Sequence, residues 1–159
     1  MIVDLQSVFN VDGESKDIDC TFPLDEEEFV TDVRVTGSVV NKTGIVHLDC
    51  RARFDYSTYC ALCLKPLLRH ATVPVKHILV THLDSEDDAD SFIVVDNMRL
   101  DVEQLVAEDI YLSLPSKFLC KEDCRGLCPE CGADLNEGSC GCKKPIDPRW
   151  SALSELLNE

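Results

Sequence analysis

Basic residues are scarce in this chain: 15 lysines and arginines stand against 30 aspartates and glutamates, a formal net charge of −15 over 159 residues. A surface of that sign repels nucleic acid except where its few cations are gathered together. Aromatic side chains are also few, with one tryptophan, three tyrosines and six phenylalanines, so an aromatic-rich stacking surface is not expected. No apolar run approaches the roughly 20 residues that span a bilayer. The opening MIVDLQSVFNVDGESKDIDC has no basic stretch leading into an apolar one, so no secretory signal is read there and a cytoplasmic setting is expected. There is no glycine-rich phosphate loop, no nucleophile elbow, and no His-Glu-x-x-His around His47, His70, His77 or His82. These gaps remove common hydrolase, nucleotide-binding and metallopeptidase signatures. Neither enzymatic activity nor a small-molecule substrate is expected.

Cysteine, by contrast, is abundant, with ten residues. In a cytosolic chain of this size that points to metal ligands rather than disulfides. Eight of the ten form close pairs: Cys60 with Cys63, Cys120 with Cys124, Cys128 with Cys131, and Cys140 with Cys142. Two residues between thiolates let both sulfurs and the intervening N–H groups turn onto one ion, and zinc takes four such ligands tetrahedrally. Cys128-Pro-Glu-Cys131-Gly has the form of a zinc knuckle. Two partitions arise. In one, Cys128, Cys131, Cys140 and Cys142 make a local tail site, and Cys60, Cys63, Cys120 and Cys124 make a second. In the other, the tail site is drawn from Cys120, Cys124, Cys128 and Cys131. The first uses every paired cysteine. Cys20 and Cys50 have no near partner and suit burial as small apolar residues.

Rival uses of the thiols are a thioredoxin-like dithiol at Cys60-Ala-Leu-Cys63, which lacks a βαβ setting, and iron–sulfur ligation. Four thiolates close a zinc sphere, whereas a catalytic zinc keeps one position open. The expected metal is therefore structural.

The cations are not evenly spread. From Cys50 to Val80, Arg51, Arg53, Lys65, Arg69 and Lys76 face Asp55 alone, five basic against one acidic. Direct RNA contact would use that cluster, and the bland alternative is a basic face balancing an acidic remainder. Two acidic runs, Asp25 to Glu28 and Asp84 to Asp90, punctuate the chain, and the second reads as a solvated loop.

Alternation through Val33, Val35 and Val39, turn residues Asn41 to Gly44, and renewed alternation from Ile45 predict a long hairpin. Leu67 to His82 reads as a strand pair, or one strand interrupted at Pro74. Phe92 to Asn97 reads as a short strand. Helical spacing then follows from Val102 to Leu114, with Asp101 as N-cap, Gln104 at the capping-box position and Pro115 as stop. Asp147, Pro148, Trp150, Leu153 and Leu157 predict a short amphipathic C-terminal helix. The expected fold class is α+β: an antiparallel twisted β-sheet or partial barrel with a packed helix and a zinc-bound C-terminal tail. The expected division is a β-rich domain over 1–115 and a cysteine-rich tail over 116–159.

Cys60-x-x-Cys63-Leu after a β-rich region, an acidic loop, and Asp101 opening a helix that ends at Leu114-Pro115 resemble the YceD-like family. The tail CRGLCPECGADLN, with Cys140-Gly-Cys142 and Asp147-Pro148-Arg149, is similar to the cysteine-bearing branch of these large ribosomal RNA subunit accumulation proteins. The resemblance runs from about Val33 to Leu157. Ala61-Leu62 stand where the family often has a basic residue before the second cysteine. The resemblance implies a non-catalytic role in making or maturing large-subunit (23S) ribosomal RNA. The acidity suits a ribosome-biogenesis protein or basic ribosomal protein as partner. An acidic, zinc-stabilised interaction module with a basic partner unrelated to ribosomes is the alternative.

Overall fold

The computed structural model describes residues 1–83 and 91–142. The acidic run from Asp84 and the C-terminal helix expected after Asp147 lie outside these residues. The chain divides into two compact units, the first made of Met1–Tyr59 and Pro66–Phe118, the second of Cys60–Lys65 and the chain from Leu119 onward. The hairpin tip at Cys60–Lys65 thus belongs with the cysteine-rich segment, although more than 50 residues separate them in sequence.

The first unit is α+β. In chain order it holds β1 (Ile2–Asp4), α1 (Gln6–Asn10), β2 (Ser15–Phe22), β3 (Val33–Lys42), β4 (Ile45–Tyr59), β5 (Pro66–Val80), β6 (Phe92–Val94), β7 (Arg99–Asp101) and α2 (Val102–Ser113). β2 to β6 form one sheet in sequential order, and β1 pairs with β7 in a second. The larger sheet is open, with β2 and β6 as its edges. It is antiparallel except that β6 joins β5 in parallel through Ile78–Phe92, Leu79–Ile93 and Val80–Val94.

The β3–β4 hairpin forms because its alternation is unbroken. Along β4 every second residue from Val46 to Tyr56 is buried, as a strand with one face on a core requires. Thr43 and Gly44 make the two-residue turn, both at positive φ (54° and 86°), which matches the right-handed twist of the strands. Asn41 holds the turn from beneath. It is 3% exposed, accepts from the Gly44 N–H at 2.9 Å and donates its Nδ2 to the Val8 carbonyl at 2.8 Å.

β5 is one continuous strand through Pro74, not two. At Pro74 only β4 lies alongside, paired through Arg51, because β6 reaches no further than Ile78. One side of the ladder is an edge there, where a missing N–H is tolerated. The strand expected over Phe92 to Asn97 stops at Val94. Asp96–Met98 form a 3₁₀ turn in which Asn97 and Met98 take positive φ.

Asp101 caps α2 as its position predicts, accepting from the N–H groups of Glu103 at 3.2 Å and Gln104 at 3.5 Å. Gln104 does not close a capping box; its side chain donates instead to Glu108 one turn on, at 3.1 Å. The helix buries Val102, Leu105, Val106 and Ile110 in the same core as Val35, Leu48, Cys50 and Val75 of the sheet. Cys50 is a core residue, as its sequence context suggests, and Cys20 packs partly buried against that core. Among the described residues no helix is long and apolar enough to cross a membrane.

Candidate metal centres

The second unit is built around sulfur. Cys60, Cys63, Cys120 and Cys124 bring four Sγ atoms within 4.8 Å of one another, and Cys128, Cys131, Cys140 and Cys142 do the same. These are the two groups of the first partition, and the knuckle's sulfurs do not mix with those of Cys120 and Cys124. The first group joins distant segments, with Cys60 and Cys124 at 3.7 Å and Cys63 and Cys120 at 3.6 Å. Such separations exclude S–S bonds, which need about 2.05 Å. They match the edge of a tetrahedron with metal–sulfur distances of about 2.3 Å, which is about 3.8 Å. Both groups could hold a metal ion.

Local backbone prepares each group for charge. The N–H of Cys63, then that of Leu62, points at Cys60 Sγ and lowers its thiol to about 6. In the second group the N–H of Cys131, then that of Glu130, lowers Cys128 to about 7. The leading cysteine of each C-x-x-C is thus the one readied as thiolate. Cys120 and Cys142 resist: burial and then the neighbouring sulfurs push Cys120 up to about 12, and hydrogen bonding to Cys131 does the same for Cys142. A cage that readily loses one proton but not four has an interior suited to a cation, whose charge would overcome the repulsion. Four sulfur donors also fill a tetrahedral sphere, leaving no position for water.

Exposure separates the two cages. Cys60, Cys63 and Cys124 are buried in the first, whereas Cys131 and Cys142 are exposed in the second.

Several supporting residues escape a motif search. Lys65, read above as part of a basic cluster, sits in this unit with its Nζ 2.8 Å from Asp134 Oδ2 and 3.5 Å from Glu137. The hydrogen bond from Lys65 holds the Asp134 carboxyl down at about 2. Asn136 donates to Cys124 Sγ at 3.4 Å while its Oδ1 accepts from the Arg125 N–H at 2.9 Å, orienting a ligand sulfur as outer-shell partners do. Gly126, at φ +73°, packs so closely that a Cβ would lie 2.9 Å from the Leu62 carbonyl oxygen. Beside it the Leu127 N–H donates to that same oxygen at 3.1 Å. The Gly in CRGLC was a visible signal; its partner Leu62, far back in the chain, was not.

The remaining basic residues lie in the first unit and are divided between faces. Arg51 and Arg53 share the solvent face of β4, with Lys76 of β5 opposite Asp49 on that face. Arg34 of β3 joins them, directly across from Arg53. Arg69 is paired with Tyr56 and so belongs to the opposite face of the sheet. Cations are thus partly offset: Arg34 lies 3.4 Å from Asp19, and Lys76 lies 3.4 Å from Asp49. His70 and His77 pair with Asp55 and Asp109 at 2.5 and 2.7 Å, and among the described residues no histidine joins either cysteine group.

The family model described as large ribosomal RNA subunit accumulation protein YceD matches residues 48–157. That span takes in all eight paired cysteines and begins later than Val33. Among curated proteins, an uncharacterized protein of Mycobacterium tuberculosis (strain ATCC 25618 / H37Rv) is 33% identical over 101 residues, covering 62% of this chain and 49% of the relative. An uncharacterized protein of Mycobacterium leprae (strain TN) is 30% identical over 103 residues, covering 62% and 46%. The chain spans about half the length of the curated relatives it matches. No solved structure gives a significant match. With most of β4, β5, β6, the capped helix and all eight paired cysteines inside the matched span, the chain belongs to the YceD family of large ribosomal RNA subunit accumulation proteins.

Proposed function

We propose that this protein is a non-enzymatic accessory factor in the synthesis, processing or accumulation of large-subunit ribosomal RNA, working in the cytoplasm and held in shape by two structural zinc ions. The observation that carries the reading is the pair of closed four-sulfur cages in a chain whose family is named for ribosomal RNA accumulation. Zinc is the ion proposed because four thiolates suit it tetrahedrally and leave no open position. When bound, the ion supplies positive charge and a cross-link. The chain's own residues do the rest: Asn136 orients Cys124, Lys65 ties the hairpin tip to Asp134, and Gly126 lets the two backbones meet. Such a unit organises a surface for partners rather than a reaction.

Depletion tests the biological part. Large-subunit ribosomal RNA should fall relative to small-subunit RNA and recover with the intact chain; an unchanged ratio refutes the proposal. Metal analysis of untagged protein, purified without added metal, tests the chemical part. Two zinc ions per chain are expected, and iron or no metal would overturn that assignment.

A second reading is direct RNA contact on the outer sheet face. It is favoured by Arg51 and Arg53 sharing that face with Arg34, which stands directly across from Arg53 and is partly offset by Asp19 at 3.4 Å. Replacing Arg51 and Arg53 with glutamine should weaken RNA binding and flatten its salt dependence. Unchanged values would remove this reading.

A further inference from the structure

The scarce aromatic residues are not scattered. In the first unit Phe29 packs on Phe54 with ring centroids 5.4 Å apart and meets Tyr111 edge-on at 6.1 Å. Tyr56 packs on Phe118 at 5.3 Å. Between the Phe29–Tyr111 and Tyr56–Phe118 pairs lies a cleft of about 210 Å³ that also takes Glu26 and Glu28 into its lining. Composition predicted no aromatic surface, yet rings from the segments around residues 29, 56, 111 and 118 build one.

The cleft is held open by backbone. Ser57 N–H donates to the Glu28 carbonyl at 2.6 Å and Val30 N–H to the Asp55 carbonyl at 2.8 Å, so the end of the acidic run is fastened along β4. Burial and then Glu26 raise the Tyr111 phenol to about 12. Among the described residues no lysine, arginine or histidine lines the cleft, and the nearest cation across the ladder is Arg69, opposite Tyr56.

These features select a ligand. Ring faces are electron-rich and attract cations. The exposed carboxylates of Glu26 and Glu28 at the rim repel phosphate, while the almost wholly apolar walls suit the methylenes of a long side chain. The volume lies below the roughly 300–1,000 Å³ of pockets that enclose small-molecule ligands and suits one long side chain. Among cationic side chains, guanidinium is flat, stacks on aromatic rings and offers paired donors to a carboxylate.

We propose that this cleft binds an arginine side chain presented by a basic protein partner, with the guanidinium between the ring pairs and its N–H groups donating to Glu26 and Glu28. The proposal deepens the reading above and rests on it only in taking a ribosomal-assembly protein as the source of that arginine. RNA is disfavoured here by the carboxylates and belongs, if anywhere, to the opposite face of the sheet.

The test is titration of the full metal-loaded chain, followed by amide shifts and calorimetry. The probe is a short glycine–serine peptide carrying two arginines, with the citrulline peptide as its neutral isostere. Shifts should centre on Phe29, Tyr56 and Tyr111, and citrulline should bind at least about tenfold more weakly. Tyr111→Leu and the pair Glu26→Gln/Glu28→Gln should each weaken binding about three- to tenfold, while Glu14→Gln/Asp17→Asn, away from the cleft, should not. Tyr111 is 44% exposed, so its replacement leaves the fold intact. Equal loss with the distant pair would reveal general attraction of a cation to an acidic protein and overturn the proposal. So would equal binding of citrulline, binding of single-stranded RNA at the same residues, or self-association through the cleft. Specific arginine binding together with normal ribosomal RNA on depletion would sink the proposed function and leave the cleft standing. Lost ribosomal RNA without arginine binding would do the reverse.

Discussion

Gly126→Ala should selectively weaken metal binding at the first cage. Two costs act at this position. At φ +73°, a side chain brings a conformational penalty of about 1–2 kcal/mol. The new Cβ would also lie 2.9 Å from the Leu62 carbonyl oxygen and 3.2 Å from Leu62 Cβ, a backbone overlap of the kind that costs about 1–3 kcal/mol to relieve. Relief means moving the hairpin tip, which carries Cys60 and Cys63, away from Cys120 and Cys124. Because the assembled cage is what the ion binds, these costs, about 2–5 kcal/mol together, appear as lost affinity: about 30- to 4,000-fold, at 1.4 kcal/mol per tenfold. Gly132→Ala supplies the control. Its φ is +71°, but nothing lies within 4 Å of its added Cβ, so only the conformational penalty of about 1–2 kcal/mol remains, about 5- to 30-fold and at the second cage. A competition titration with a chromogenic chelator reads both sites, and Cys142→Ser identifies which phase belongs to the second. Equal weakening by the two variants, or an unaltered first phase in Gly126→Ala, would refute the close approach to Leu62.

Three further outcomes follow from the same geometry. Asn41→Ala removes both hydrogen bonds of a buried amide, leaves the Val8 carbonyl without its donor, and should cost about 2–4 kcal/mol in chemical denaturation; a loss under 1 kcal/mol would refute the central role of Asn41. Thiol titration of the metal-loaded chain should show Cys20 reacting first and Cys50 far more slowly, because burial pushes the Cys50 thiol up to about 11; more than two reactive thiols before chelation would contradict two filled cages. Lys65→Met should narrow the stable pH range. Asp134 is held at about 2, below its unfolded value of about 3.9, so its contribution is present above that value and lost as pH falls through about 2. Lys65 is raised to about 12, chiefly by its hydrogen bond to Asp134, so its contribution is present below about 10.4 and lost as pH rises through about 12. The difference in resistance of the second unit to proteolysis between wild type and Lys65→Met should therefore be greatest near neutrality and shrink on the alkaline side; a constant difference would show that Lys65 acts by packing alone.

Legibility in the sequence tracks how local each signal is. The β3–β4 hairpin was readable because its alternation and its Thr43-Gly44 turn lie side by side. The α2 cap was readable because Asp101 acts within three residues. The elements before β3 were not. β2 alternates only through Ile18, Cys20 and Phe22, three positions with a cysteine in the middle, too short a run to stand out, and β1 and β7 are three residues each. The basic cluster failed for a related reason. Nearness in sequence put Arg69 with Arg51 and Arg53, but strand parity sends it to the other face, while Arg34 enters the patch through a register that no local pattern encodes. The aromatic cleft is the extreme case, since its walls come from four separate segments. Cysteine spacing carried further than any of these, because pairs of ligands separated by one to three residues limit how eight sulfurs can share ions.

The two cages also differ in when they can form. The second closes within Cys128–Cys142, a short loop that an unfolded chain samples readily. The first must join Cys60 to Cys124, 64 residues apart, and the added loop closure alone costs about 1.4 kcal/mol more. Half of its ligands exist only as the tip between β4 and β5, whose fourteen paired residues run from Val46 to Tyr59. Metal at the second cage can therefore precede folding, whereas metal at the first reports that β4 and β5 have already paired. An ion held by Cys60, Cys63, Cys120 and Cys124 accordingly stabilises the whole hairpin by mass action. The exposed second cage, with Cys131 and Cys142 at the surface, gives up its ion sooner and without that consequence. Metal limitation should then unmake the protein in two steps, the tail loop first and the hairpin tip only when the first cage empties.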